Sequence, residues 1–99
     1  MLNIVKRVEN GRAVIALEGR LDTNTAGELE TELKAVIDSV DEIVLDLEKL
    51  AYISSSGLRV LLSAQKAVAK RGTLKLVHVN DAIMDIFDLT GFSEFLTIE

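Results

Sequence analysis

A short apolar run, Ile43-Val44-Leu45-Asp46-Leu47, lies between two stretches patterned as helices, and this alternation limits the fold more than any other feature. Such a run marks a central strand covered on both faces, or nearly so. Before it, Ala26, Leu29, Leu33, Val36, Ile37 and Val40 recur at helical spacing as one apolar stripe, with Glu28, Glu30, Glu32 and Lys34 on the polar side. After it, Leu58, Val60, Leu61, Leu62, Ala64 and Val68 form a wider apolar face over about Ser56 to Lys70, and Leu74 to Val79 reads as the next strand. Strand–helix–strand passages within one sheet are right-handed crossovers between parallel strands.

The rest of the chain fits around that unit. Leu2 to Val8 and Arg12 to Glu18 are rich in Val and Ile, and Asn10-Gly11 between them is a hairpin signal because both residues tolerate positive φ. Thr25 and Glu28 have capping-box spacing at the start of the first helix. Arg71-Gly72 is predicted to end the second helix with a left-handed glycine. Asn80 is placed to cap a third helix whose Ile83, Ile86 and Phe87 face inward, with Gly91-Phe92 as its closure and Phe95 to Ile98 as a final edge strand. The prediction is an α/β fold in one domain over residues 1–99, ordered ββαβαβα(β). It has a mixed sheet of four to five strands packed with three or more helices. Alternation in the first two strands predicts one more exposed face.

Composition removes several function classes. With 99 residues and 48% of them hydrophobic, a core is attainable without staples. No cysteine is present, which excludes disulfides, thiolate chemistry and cysteine-ligated metal, and fits a cytoplasmic setting. The net charge is −5 and no basic cluster is concentrated enough to neutralise phosphates, so direct nucleic-acid binding is not expected. Lys66, Lys70 and Arg71 group at a predicted helix end, where they face the negative end of its dipole. The few aromatics, Tyr52, Phe87, Phe92 and Phe95, make no stacking surface. The apolar runs Ala13–Leu17 and Val60–Leu62 are too short to span a bilayer, and Met1–Arg7 lacks the apolar stretch of a signal peptide. The reading is a soluble chain with no membrane association.

The stretch most in need of explanation is Ile53-Ser54-Ser55-Ser56-Gly57-Leu58, three hydroxyls between a buried strand's end and a helix start. That edge of an α/β sheet is where ligands and partners meet the fold. A helix N-terminus also offers free N–H groups and partial positive charge, so a phosphate there is tolerated while changing the surface by roughly −1.5 to −2 charges. Serine is also a favoured N-cap, and a Ser-rich turn needs no function; yet one cap requires only one hydroxyl. Asp22 is either a partner contact or a turn carboxylate. Asp46 reads as a hydrogen-bonded structural residue, since an isolated carboxylate in a strand is costly. His78, the only histidine, has no second histidine or cysteine nearby in sequence, so no metal site or cofactor is expected. Asp81, Asp85 and Asp88 read as the solvated face of the third helix. An enzyme is not expected: Ile53 stands where Gly-x-Ser-x-Gly would need glycine, and neither glycine-rich phosphate-binding pattern occurs.

Gly19-Arg20-Leu21-Asp22, then Leu45-Asp46-Leu47 and Tyr52-Ile53-Ser54-Ser55-Ser56-Gly57-Leu58-Arg59-Val60-Leu61, resemble the signature of STAS domains, in particular the bacterial anti-sigma factor antagonists. The resemblance runs over essentially the whole chain. It implies a protein-interaction module whose partner is an anti-sigma factor that is itself a serine kinase. The unphosphorylated antagonist binds this partner and frees a sigma factor, phosphorylation breaks the association, and a serine phosphatase restores it. Alignment on Gly57-Leu58 puts the acceptor at Ser55; the family often has aspartate just before it, where this chain has Ser54, so Ser54 and Ser56 stand as alternative acceptors. Asp22, Thr23, Ser54, Ser56, Gly57 and Arg59 are then the partner-binding candidates. A docking module that regulates another signalling complex without phosphorylation is the alternative.

Overall fold

A computed structural model of the chain describes residues 2–99. The elements run β1 (Leu2–Glu9), β2 (Arg12–Leu21), α1 (Ala26–Val36), β3 (Glu42–Ile53), α2 (Ser55–Val68), β4 (Thr73–Val77), α3 (Asp81–Thr90) and a 3-10 turn (Phe92–Glu94). The sheet order is β1-β2-β3-β4; β1 is antiparallel to β2, and β2, β3 and β4 are mutually parallel. This is the mixed sheet that the pattern predicts. The β1–β2 hairpin closes on Asn10 and Gly11, whose φ values of 52° and 76° give the paired left-handed turn that matches strand twist.

The helices cover one face. Ala13, Ile15 and Leu17 of β2, Ile43, Leu45 and Leu47 of β3, and Leu74 and Leu76 of β4 join Leu29 and Leu33 of α1, Leu61 and Val68 of α2, and Ile83 and Phe87 of α3 in one core. The alternate strand residues, among them Val5, Val14, Ala16, Asp46 and Lys75, lie outside that core on the bare face. Val44 also points there, yet its central position leaves it only 4% exposed. Burying a Leu or Phe side chain contributes about 1.5–3 kcal/mol, so this single layer of contacts dominates the stabilisation.

β3 departs from strand alternation. Its register with β2 shifts twice, between Ala16 and Glu18 and again between Gly19 and Arg20, and each shift places one extra residue on β3. The core positions therefore run 43, 45 and 47, then 50 and 53, as each bulge rotates the strand onward. Asn80 fastens the first bulge: its Nδ2 donates to the carbonyls of Leu47 (3.3 Å), Glu48 (3.4 Å) and Leu50 (2.9 Å).

Several expectations are corrected. Ala51-Tyr52-Ile53 belongs to β3, whereas the sequence pattern ends that strand at Leu47. The Thr25–Glu28 capping box does not form; Thr25 holds the N-cap position of α1, but its hydroxyl donates back to the Arg20 carbonyl (2.9 Å) and accepts from Asp22 N–H (2.8 Å). α2 begins at Ser55 instead of Ser56 and ends at Val68. Gly72 is not among the positive-φ residues, and its need is steric: a Cβ there would lie 1.8 Å from the Asp41 carbonyl oxygen. Arg71 does not face the end of its own helix, since its Nη1 donates to Asp38 O beyond α1 (2.6 Å). β4 stops at Val77, and the predicted last strand is reduced to a single parallel bridge between Leu76 and Ile98.

Candidate functional site

Parallel β2 and β3 end side by side, with Leu21 opposite Ile53, and this pairing brings two sequence-distant turns together. Ser54 N–H donates to Leu21 O at 2.9 Å, fixing the start of α2 against the end of β2. Ser54 then serves as N-cap, its Oγ accepting from Gly57 N–H at 3.3 Å. Ser55 is the exposed first residue of α2, and among the described residues no side-chain hydrogen bond engages its hydroxyl. Ser56 is half-buried, with its Oγ 3.5 Å from Thr23 Oγ1 across the gap between the turns. Three adjacent serines thus have three different environments.

Gly57 is buried where the helix meets the strands. A Cβ there would stand 2.7 Å from Leu21 Cγ and 2.9 Å from Ile53 Cγ1, so glycine is what lets α2 seat this closely. Arg59 is exposed on the next turn of the helix. The first turn of α2 has no acidic residue, which leaves the positive end of its dipole without a side-chain counter-charge.

The Asp22 carboxylate organises the facing turn. Its Oδ1 accepts from Asn24 N–H (3.0 Å), Thr25 N–H (3.1 Å) and the Thr25 hydroxyl (3.2 Å). Partial desolvation pushes the Asp22 carboxyl up, but the hydrogen bonds from Thr25 and Asn24, helped by the Arg20 charge, outweigh this and hold it below the usual carboxylate range. Asp22 Oδ2 lies 3.9 Å from Arg20 Nε. Arg20 also stacks over Tyr52, its guanidinium carbon 4.3 Å from the ring centroid, a contact worth about 0.5–1 kcal/mol at an exposed site. Sequence reasoning missed this pair, because Arg20 and Tyr52 become neighbours only after both bulges in β3. The assembled surface is the Asp22–Thr23 turn, Ser55 and Ser56 at the head of α2, and the Arg20–Tyr52 pair beside them. The sole histidine, His78, pairs with Asp46 at 3.2 Å.

The family model described as Mlab, STAS domain matches residues 5–98. The chain belongs to the STAS domain family. This STAS domain is 36% identical over 85 residues to BtrV of Bordetella bronchiseptica, covering 84% of the chain and 73% of the relative. It is 30% identical over 95 residues to the anti-sigma-B factor antagonist of Bacillus subtilis, covering 95% and 86%. The solved structure of an anti-sigma factor antagonist from Mycobacterium paratuberculosis superposes with a TM-score of 0.89 at 25% identity, covering 99% of this STAS domain and 85% of that chain. Among the described residues, no helix is long and apolar enough to cross a membrane.

Proposed function

We propose that this STAS domain is an anti-sigma factor antagonist that binds a serine-kinase anti-sigma factor through the surface around the head of α2 and is released when Ser55 is phosphorylated. The observation that carries the reading is the division of labour among the serines. Ser54 is committed to the cap and Ser56 faces Thr23, which leaves Ser55 exposed with a free hydroxyl at the centre of the surface. Family membership and the anti-sigma-B factor antagonist relative support the partner class.

The switch is steric and electrostatic. Ser55 in its unmodified form lets the partner close over Thr23, Ser56 and the start of α2, with Asp22 and Arg59 at the rim. A phosphate at Ser55 adds roughly two negative charges that the partner must desolvate or repel. The antagonist itself keeps its fold, because the new charge sits at the positive end of α2. Each 1.4 kcal/mol lost weakens the complex about tenfold. A serine phosphatase would reset the module, and the chain itself acts as kinase substrate and ligand, with no catalysis of its own.

The test is an affinity pull-down of the wild-type chain from extract of its own cells, with mass-spectrometric mapping of Ser54, Ser55 and Ser56. The expected result is co-purification of a kinase-like anti-sigma factor, phosphate on Ser55, and a complex that Ser55→Asp weakens and Ser55→Ala retains. Identical capture by both variants would remove the switch. Phosphate on Ser56 or Ser54 instead would move the acceptor.

A further inference from the structure

Asp46, Glu48 and His78 converge on the bare face of the sheet, away from the surface around α2. Asp46 lies on β3, Glu48 in the β3 bulge, and His78 immediately follows β4. Their ligand-capable atoms all lie within 4.8 Å of one another. Pairing of β3 with β4 sets Asp46 opposite Val77, and this carries the imidazole over the carboxylate.

We infer that these three side chains form a binding site for a divalent transition-metal cation of the zinc type. The first argument is geometric. His78 Nδ1 and Asp46 Oδ2 are 3.2 Å apart. Two ligands at the usual zinc–nitrogen and zinc–oxygen distances in a tetrahedral shell stand about 3.3 Å from each other. The pair is therefore spaced for a cation to sit between its two atoms, with the Glu48 carboxylate in reach as third ligand. The second argument is electrostatic. Asp46 and Glu48 bring two carboxylates close together, one imidazole faces them, and among the described residues no Lys or Arg pairs with either. The neighbouring Lys49 is directed to Glu18, at 3.9 Å. A bound dication compensates that charge. The third argument is space. Asp46 and Glu48 also line an open basin of about 330 Å³ with Asn3, Val5, Ala16, Leu17, Glu18 and Lys49, which gives water access to the two carboxylates.

The donor set selects the class of ion. An imidazole with two carboxylates suits zinc, cobalt or nickel, whereas calcium and magnesium take all-oxygen shells. Bound there, the cation would staple the β4–α3 turn to the bulge of β3. Asp46 is oriented for this work, since its Oδ1 already accepts from Glu48 N–H at 3.0 Å while its Oδ2 faces His78 Nδ1.

The test is calorimetric titration of zinc chloride into the full chain, followed in parallel by the imidazole resonances of His78, the only histidine. The expected result is one zinc per chain, a stoichiometric shift of those resonances, and affinity at least tenfold weaker in both His78→Asn and Glu48→Gln. Asparagine is chosen because it tolerates the left-handed φ of 54° at this position. Circular dichroism of each variant verifies the fold. Binding that survives His78→Asn undiminished, or wild-type protein that takes up no zinc at millimolar concentration, overturns the site.

Discussion

The caps of α2 and α3 solve the same local problem in opposite ways. Asn80 caps α3 with Oδ1 accepting from Ile83 N–H at 3.0 Å, spends its Nδ2 on three carbonyls of the bulged β3, and is followed by Asp81 at the dipole's positive end. Ser54 caps α2 with one longer bond to Gly57 N–H, and no acid follows it. One end is fastened and electrostatically complete. The other is seated by close packing at Gly57 and keeps its polarity and the Ser55 hydroxyl turned outward. A docking surface needs the second arrangement, because groups already satisfied within the fold have little left to offer a partner.

The largest effect expected from this contrast is at Asn80. Asn80→Ala removes the cap and leaves bulge carbonyls without their donor, a loss of about 2 kcal/mol measured by urea unfolding. Asn80→Asp keeps the acceptor and loses the donor, and should fall between wild type and alanine. Equality of Asp with wild type would mean that the three carbonyl contacts contribute nothing.

Ser54→Ala comes next, at about 1 kcal/mol by the same measurement, since only one cap bond is lost. A loss as large as that of Asn80→Ala would erase the distinction between a fastened helix end and an open one.

The unequal caps also mark what could be read in the sequence. Helix and strand identities followed from local periodicity: the stripe from Ala26 to Val40 (which overruns the helix's end at Val36), the Asn10-Gly11 turn and the Asn80 and Gly91 boundaries are written within a few residues. The serine turn was legible as well, through its composition and its family signature. What failed to show depends on partners far along the chain. The bulges turn Leu47, Leu50 and Ile53 to one side at three-residue spacing, which no alternating pattern announces. The Arg20–Tyr52 stack, the triple grip of Asn80 and the meeting of Asp46 with His78 all follow from strand register. Thr25 misled for a local reason: its hydroxyl is engaged by Arg20 O and Asp22 N–H, just upstream, and not by the N–H groups of its own helix.

Charge sharpens the comparison at smaller scale. Ser55→Asp places an anion at the uncompensated end of α2 and should stabilise the chain by about 0.5 kcal/mol at low ionic strength. Asp81→Asn removes the anion already present at α3 and should cost a similar amount, about 0.5 kcal/mol. Both effects should shrink in thermal melts at high salt. Destabilisation by Ser55→Asp would show that the head of α2 has no unused positive potential.

The last difference is one of pH. The Asn80 side chain carries no titrating group, whereas the turn facing Ser55 depends on the Asp22 carboxylate. Its folded pKa is held below the ordinary value of 3.8, so the unfolded chain takes up this proton first as pH falls. The stabilisation is therefore fully present above about pH 5 and is lost as pH drops through the folded value. The stability difference between wild type and Asp22→Asn should be constant near neutrality and narrow below about pH 4 in urea titrations. The difference between wild type and Asn80→Ala should stay level over the same range, because neither an amide nor a methyl side chain exchanges a proton there. A level Asp22→Asn difference would mean that the carboxylate charge does not organise the turn, and that the docking surface is held by the Thr25 hydroxyl and the Ser54–Leu21 bond alone.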